Sequence, residues 1–303
     1  MNRVSAVEPI ATASSPANPS PGWLPLAWFA VLTLGCYSIV LIRLGEQWLT
    51  NDDMSHGVFV PLLVGYIIWR NWPALVAAPA KANFWGLPIM IMGALMLCIG
   101  PPSLPTFVFI TRTAFLVTTF GLVLLLRGFP TIRLLAYPFV ISLFMIPLPG
   151  FLYERITLPL QFVASFLAES ALELMGFSVL REGNILYLPH QTLSVVEACS
   201  GLRSLLSLSF LGQAYIYLFD HKVWMRVAIA IAIIPIAVIA NAGRIVFTAF
   251  ISTVNKEWAS GIYHESAGWI VFVIAFVALL FAHRTINSAY GLLSGRERSI
   301  GHA

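Results

Sequence analysis

The chain has 303 residues, of which 59% are hydrophobic and only 10% are charged. Soluble domains carry about 25% charged residues, so this composition excludes an ordinary soluble enzyme and predicts a protein embedded in lipid. The net charge of +4 is a signal of membrane topology, because no basic run indicates nucleic-acid binding. The three cysteines Cys36, Cys98 and Cys199 fit neither a disulfide framework nor a C-x-x-C metal motif. We therefore expect no metal, no cofactor and no nucleic-acid partner.

Apolar runs near the roughly 20 residues needed to cross a bilayer predict an all-α polytopic membrane protein with about eight transmembrane helices. Residues 1–22 are rich in Ser, Pro and Ala, and we expect a disordered cytoplasmic tail there. A transmembrane domain at 23–283 and a second cytoplasmic tail at 284–303 follow. The predicted spans are residues 24–44, 57–72, 84–100, 106–126, 133–149, 201–219, 223–243 and 266–283.

The charges of the loops predict that both ends of the chain lie inside the cell. Loops on that side carry basic residues almost without acids, as at Arg127, Arg133, Lys222 and Arg226. On the opposite side the basic residues lie among most of the acidic ones. Cytoplasmic loops are enriched in Lys and Arg, so the sequence favours N-in and C-in.

Residues 150–198 are predicted to form an insert on the outer face. Residues 151–175 are apolar except for one polar stripe, which is typical of a helix that lies in the membrane interface. The stripe consists of Gln161, Ser165, Glu169 and Glu173. Gly176 is placed to end this helix, and the period then changes to that of a small β hairpin. A ninth span at 151–175 is the alternative, but it would invert the inner charge cluster that follows.

The hairpin delivers Cys199 to the mouth of the sixth span. A helix N-terminus and a nearby cation both lower the pKa of a thiol, so Cys199 is a candidate nucleophile. Spans six and seven each cover about one bilayer core, which predicts that Asn241 and Arg244 lie at the depth of Cys199. His264 precedes span eight on the same face. Three residues distant in sequence thus meet at one membrane depth.

This arrangement permits acyl transfer. Cys199 is the candidate nucleophile, His264 the candidate general acid and base, and Arg244 the candidate stabiliser of an oxyanion. Structural interpretations stand beside these: a membrane cysteine often acts as a small hydrophobe, and an arginine at a helix end often extends towards the interface. Four further residues are candidate substrate-binding or supporting groups: Arg203, Asn241, Glu197 and His56. The remaining histidines are expected in loops or tails: His190, His221, His283 and His302.

The motifs around these residues resemble the exosortase/archaeosortase family, most closely a bacterial exosortase of the A type. The resemblance rests on V-E-A-C-S-G-L-R-S at 196–204, N-A-G-R-I at 241–245, H-E-S-A-G-W at 264–269 and S-H-G at 55–57. It implies a multi-pass enzyme of the bacterial inner membrane with its active site facing the periplasm. The proposed Cys, Arg and His of that family carry over to Cys199, Arg244 and His264.

The resemblance also implies the substrates. They are exported proteins with a C-terminal PEP-CTERM signal, namely a Pro-Glu-Pro motif, a membrane helix and a basic tail, and the family is linked to exopolysaccharide and biofilm export. Transpeptidation onto an unknown acceptor is implied, with membrane lipid as the surroundings. The substrate Glu would meet Arg203 or Arg244, and the sequence leaves these two roles open. Hydrolysis without ligation and a non-enzymatic component of polysaccharide export remain as alternatives.

Overall fold

A computed structural model of the protein describes residues 23–99, 105–189, 191–194, 201–220, 222–254 and 262–300. Within these ranges it is almost entirely helical with one small β-sheet, which confirms the predicted fold class. The helices are α1 (Trp23–Cys36), α2 (Ser38–Thr50), α3 (Phe59–Arg70), α4 (Trp72–Ala77), α5 (Gly86–Cys98), α6 (Pro105–Arg127), α7 (Phe129–Ser142), α8 (Gly150–Leu174), α9 (Gly201–Phe219), α10 (Val223–Val254) and α11 (Ile262–Ile300), with short 3₁₀ helices at Asp52–Val58 and Leu143–Met145. The predicted tail at 1–22 lies outside the described residues.

Three helices in the described ranges are long and apolar enough to cross a membrane by themselves. They contain Phe107–Arg127, Val223–Ser252 and Gly268–Leu292. Two bent pairs, α1 with α2 and α7 with α8, raise this number to five if each pair counts as one span. The protein is therefore a multi-pass membrane protein, while the count of eight spans and their orientation stay predictions.

The first predicted span, 24–44, is not one continuous helix. It is broken at Tyr37, where α1 and α2 meet at 67°. The Tyr37 side chain is only 2% exposed; its hydroxyl donates to the Gly93 carbonyl at 3.1 Å and lies 2.7 Å from the Thr118 hydroxyl. A buried tyrosine hydroxyl needs such partners, so contacts with α5 and α6 fix a break that apolar length alone does not reveal.

The last two helices extend beyond their predicted spans. Helix α10 runs to Val254, past the predicted end at residue 243, and α11 runs to Ile300. The segment 284–300, predicted as a tail, therefore continues α11 as helix. His283 was expected in a loop or tail, but it lies within α11 and its ring bonds to Tyr215 and Asp220. That expectation was wrong because the apolar pattern ends before the helix does.

Helix α8 begins the predicted insert at 90° to the α7 segment before it. Gly176, with φ of +87°, ends it as predicted. The Gly176 N–H donates to the Glu173 carbonyl at 2.9 Å, and the Phe177 N–H donates to the Leu172 carbonyl at 3.0 Å. This pair of bonds is the Schellman motif, which favours glycine in the left-handed position. The place of α8 in the membrane interface stays a prediction.

A three-stranded antiparallel sheet follows, where the sequence predicts a hairpin and a third β-like run. Its order is β1-β2-β3, with β1 at Leu180–Glu182, β2 at Ile185–Leu188 and β3 at Gln191–Ser194. Glu182 pairs with Ile185, so the intervening turn has two residues. The first of them, Gly183, has φ of +65°, which glycine adopts without strain.

The polar stripe of α8 packs against this sheet. The Ser165 hydroxyl donates to the Gly183 carbonyl at 3.2 Å, and Arg181 Nε donates to Glu169 Oε2 at 2.6 Å. Gln161 and Ser165 are buried. The stripe is thus largely paired within the protein, whereas the apolar residues beside it on α8, such as Phe162 and Phe166, are exposed.

Candidate functional site

The structure describes the predicted site residues to different extents. Cys199 and Glu197 lie outside the described residues. Arg203 lies in the first turn of α9 and His264 in the first turn of α11. The side chains of Arg244, Asn241 and His56 are described, and they define the geometry around these two helix starts.

Arg244 is half-buried on α10 and its guanidinium lies beside α11. A Cβ placed on Gly268 would lie 3.5 Å from Arg244 Cζ and 3.5 Å from one terminal nitrogen. Gly268 follows His264 by four residues, which is about one helical turn or 6 Å. These are ordinary contact distances, so the guanidinium lies directly against this part of α11. The fold therefore brings Arg244 next to the turn that carries His264.

Asn241 precedes Arg244 by one turn and is only 9% exposed. It lines a narrow crevice with Leu205 of α9 and with Thr157 and Gln161 of α8. Its side-chain amide has no hydrogen-bond partner among the described residues. The amide atoms of Asn241 are not among the fully buried side-chain atoms that lack a partner, so the amide faces the open crevice. Since Leu205 lies one turn inside α9, Asn241 lies at the level of the α9 start.

His56 approaches the same helix from the 3₁₀ helix Asp52–Val58. Its side chain is buried, with Nδ1 3.5 Å from the Ser207 hydroxyl and its ring centroid 6.1 Å from that of Phe210. Desolvation by burial lowers the pKa of His56 below its ordinary value of 6.5, although the nearby Phe144 backbone opposes the shift. Burial therefore favours the neutral form of this imidazole.

The position of His56 depends on its neighbour Gly57. A Cβ on Gly57 would overlap the indole of Trp48, so no larger residue fits without displacement. Trp48 Nε1 in turn donates to the Met145 carbonyl at 3.0 Å. The indole thus fixes the His56 segment to the second 3₁₀ helix, Leu143–Met145.

His56 and Asn241 lie on opposite faces of α9. Their contacts, Ser207 and Leu205, are two residues apart, which is about 200° around a helix. The start of α9 therefore lies between His56 on one side and the pair Asn241 and Arg244 on the other. We call this end of the bundle the site end: the first two turns of α9, residues 241–244, the first turns of α11 and the 3₁₀ helix Asp52–Val58.

Sequence reasoning missed two side chains at the site end. Ser207 faces His56, and Gln161 lines the Asn241 crevice while its amide oxygen lies 3.4 Å from the Asn184 side-chain nitrogen. A signal for Ser207 was present, because it follows Arg203 by four residues and precedes Phe210 by three, which places all three on one face of α9. Gln161 was assigned to a stripe in the membrane interface, and only the tertiary structure turns it towards α9.

Comparison with known proteins gives the family. The family model described as "Transmembrane exosortase (Exosortase_EpsH)" matches residues 48–281, a region that contains every predicted site residue. The chain belongs to the transmembrane exosortase family. This confirms the family indicated by the motifs, whereas the A type stays a prediction.

One curated relative is a protein named "Probable archaeosortase E" from Methanocaldococcus jannaschii. It is 31% identical to the present chain over 107 residues, which cover 35% of this chain and 55% of the relative. The chain thus matches about half the length of that protein. No solved structure matches the present chain.

Proposed function

We propose that this chain is a membrane cysteine transpeptidase that sorts exported proteins by cutting a C-terminal signal. Exosortases and archaeosortases are membrane cysteine transpeptidases that act on proteins carrying sorting signals. In this proposal Cys199 is the nucleophile, His264 the general acid and base, and Arg244 the group that stabilises the oxyanion or binds the substrate.

The packing of Arg244 against Gly268 is the observation that carries the proposal. It holds a guanidinium, which keeps its charge at any physiological pH, about one helical turn from His264. The start of α9, which Cys199 precedes by two residues, lies across the Asn241 crevice from α8. Two segments that carry family motifs, 241–245 and 264–269, therefore meet through Arg244 and Gly268, and the helix that follows the third motif lines the Asn241 crevice with Leu205.

The proposed chemistry has two acyl-transfer steps. The Cys199 thiolate attacks the carbonyl carbon of the scissile peptide bond, and Arg244 stabilises the negative charge that develops on the carbonyl oxygen. The C–N bond then breaks, and His264 gives the leaving amine its proton, which leaves an acyl-enzyme. An acceptor amine, or water in the hydrolytic case, attacks the thioester, transfers its proton to His264 and releases the thiolate.

The substrate side of the proposal follows from the family resemblance. We expect a PEP-CTERM signal whose membrane helix lies beside the bundle and whose Pro-Glu-Pro motif reaches the site end at the periplasmic face of the inner membrane. Arg203 or Arg244 would then bind the substrate Glu. The Asn241 amide supports this arrangement, since it has no hydrogen-bond partner in the described part of the chain and so remains available to a bound peptide.

The first test is the removal of the thiol. The full chain is co-expressed with a tagged PEP-CTERM substrate, and processing is measured by the size of the tagged product. We expect Cys199→Ala to abolish processing, because a methyl group cannot form the acyl-enzyme. Cys98→Ala is the matched control, since Cys98 is exposed on α5 and plays no part in the chemistry.

Normal processing by Cys199→Ala would rule out the nucleophile and favour the non-enzymatic component of polysaccharide export. If Cys199→Ala abolishes processing, trapping the substrate acyl group on Cys199 of the wild type decides between the two enzymatic outcomes. Resolution by an added amine indicates transpeptidation, whereas resolution by water alone indicates hydrolysis.

A further inference from the structure

A separate pocket of about 410 Å³ lies where α2, α6 and the segment after α7 meet. It is at the site end of the bundle, because α2 leads directly into the 3₁₀ helix Asp52–Val58. Arg43 and Glu46 of α2 line one side, and Arg112 of α6 lines the other. Phe109 and the proline-rich stretch 147–149 supply an apolar wall. This volume falls within the range of small-molecule sites.

Arg112 gives this pocket a buried guanidinium without a partner among the described residues. Its side chain is only 9% exposed, yet it makes no hydrogen bond or ion pair within the described part of the chain. Arg127, on the same helix and about 22 Å away, is fully buried but donates to the carbonyls of Leu75 and Ala78 at 3.1 and 3.0 Å. A guanidinium cannot lose its charge, so the unsatisfied donors of Arg112 face a pocket that suits an anion.

The charges of the pocket match one negative charge on the ligand. Arg43 and Arg112 contribute two positive charges and Glu46 one negative charge, and no ion pair joins these groups among the described residues. Arginine side chains bind phosphate oxygens in paired, charge-assisted hydrogen bonds. A phosphodiester group, with its single negative charge, therefore fits the net charge of +1.

The surroundings of the pocket indicate where the ligand comes from. Ile39, Ile42 and Leu49 are strongly exposed and lie on one face of α2 together with Glu46, because their spacing follows helical turns. In a membrane protein such an apolar face contacts lipid. The pocket therefore opens beside lipid, which gives a phospholipid headgroup direct access and makes entry of a hydrophilic peptide costly.

We infer that this pocket binds the phosphate group of a membrane phospholipid, with Arg112 and Arg43 as its donors. The apolar wall at Phe109 and residues 147–149 contacts the glycerol and upper acyl region. Basic pockets between transmembrane helices are known to bind lipid headgroups in this way. The inference does not depend on the catalytic chemistry and extends the proposed function.

The test uses the full chain purified in detergent and native mass spectrometry with added dioleoylphosphatidylglycerol. We expect a specific lipid adduct whose apparent affinity falls about tenfold or more in Arg112→Gln, because a charge-assisted pair is lost. Arg43→Gln is expected to weaken it less, and Arg284→Gln, an exposed residue on α11, to leave it unchanged. Dioleoylglycerol, which has no phosphate, should not bind at the same concentration.

Three results would overturn the inference. One is equal lipid binding by the wild type and the Arg43→Gln/Arg112→Gln double variant. Another is displacement of the lipid by an equal concentration of inorganic phosphate, which would assign the site to free phosphate. The third is displacement by a soluble Pro-Glu-Pro peptide, which would assign it to a polypeptide. If Arg112→Gln does not fold, Arg43→Glu replaces it: Arg43 is exposed, and unchanged lipid binding there counts against the inference equally.

Discussion

At the end of the bundle where α9 passes into α10, one group of polar side chains forms a connected set of hydrogen bonds. Asp220 accepts the Lys222 backbone N–H at 2.9 Å and lies 3.2 Å from His283 Nε2, while His283 Nδ1 lies 3.1 Å from the Tyr215 hydroxyl. Lys222 Nζ donates to the Asn287 side chain at 2.7 Å. We call this end, formed by Tyr215, Asp220, Lys222, His283 and Asn287, the turn end.

At the site end the pattern is the opposite. Asn241 and Arg112 are about nine-tenths buried, yet neither makes a side-chain hydrogen bond among the described residues. A complete buried network makes a structure rigid and specific, whereas an incomplete one destabilises it unless a ligand completes it. The turn end is therefore interpreted as architecture and the site end as the place where other molecules bind.

Among the residues whose side chains the structure describes, the largest effect is expected at Arg244. Arg244→Ala removes the guanidinium beside α11, and we expect processing of the tagged substrate to fall at least about tenfold. Arg284→Ala is the control on α11. A pair of variants at Gly268 sharpens the test, because a Cβ there makes only ordinary contact with Arg244 at 3.5 Å, whereas a larger side chain displaces it.

Gly268→Ala should therefore keep most of the activity, and Gly268→Leu should lose about as much as Arg244→Ala. Both variants are checked for normal thermal unfolding, so that a loss of activity is not a loss of folded protein. If Gly268→Leu were as active as Gly268→Ala, the position of Arg244 against Gly268 would play no part in catalysis.

The next effect concerns stability at the turn end. Asp220→Asn removes the charge that His283 and the Lys222 N–H share, and we expect a loss of about 1–3 kcal/mol in unfolding free energy. Processing per folded molecule should be unchanged, because the turn end takes no part in the chemistry. A lower rate with undiminished thermal stability would contradict this division between the two ends.

The smallest effect is a difference in pH dependence between the ends. The pKa of His56 is lowered from 6.5 in the folded state by burial, so its contribution to stability is complete above pH 6.5 and is lost as the pH falls towards the folded pKa. Burial opposes ionisation of Asp220, but the Lys222 N–H and His283 outweigh it and lower the pKa from 3.8. Its contribution is therefore complete above pH 3.8 and is lost only below that value.

Thermal unfolding as a function of pH separates the two groups. His56→Gln should remove the loss of stability that begins just below pH 6.5. Asp220→Asn should lower the stability throughout the region above pH 3.8 and remove the further loss below that value. A wild-type curve that is flat below pH 6.5, or a His56→Gln curve with the wild-type slope, would show that the buried histidine is not the cause.

Local signals predicted several elements correctly. Gly176 ends α8 because the left-handed position at a helix end favours glycine, and Asp220–Lys222 separates two apolar helices because polar residues interrupt their pattern. The strands between residues 180 and 194 follow from turn residues and a period of two. Each of these depends on contacts between residues close in sequence.

Other features depend on partners far away in the chain. The break at Tyr37 is fixed by Gly93 and Thr118, which are 56 and 81 residues away, and His283 is held by Tyr215 and Asp220 from another helix. Apolar periodicity carries no information about such partners. For the same reason the sequence did not reveal that the α8 stripe packs on the sheet, while the place of α8 in the membrane interface stays a prediction.

The sequence by itself determined the class of protein, the family and the residues of the candidate site, because composition and short motifs are local properties. Only the tertiary structure decided which of these residues meet. It placed Arg244 against Gly268 beside the His264 turn, and it placed His56 and Asn241 on opposite faces of α9. It also left Arg112 facing a pocket while Arg127 found partners, because satisfaction of a buried charge depends on which helices pack around it.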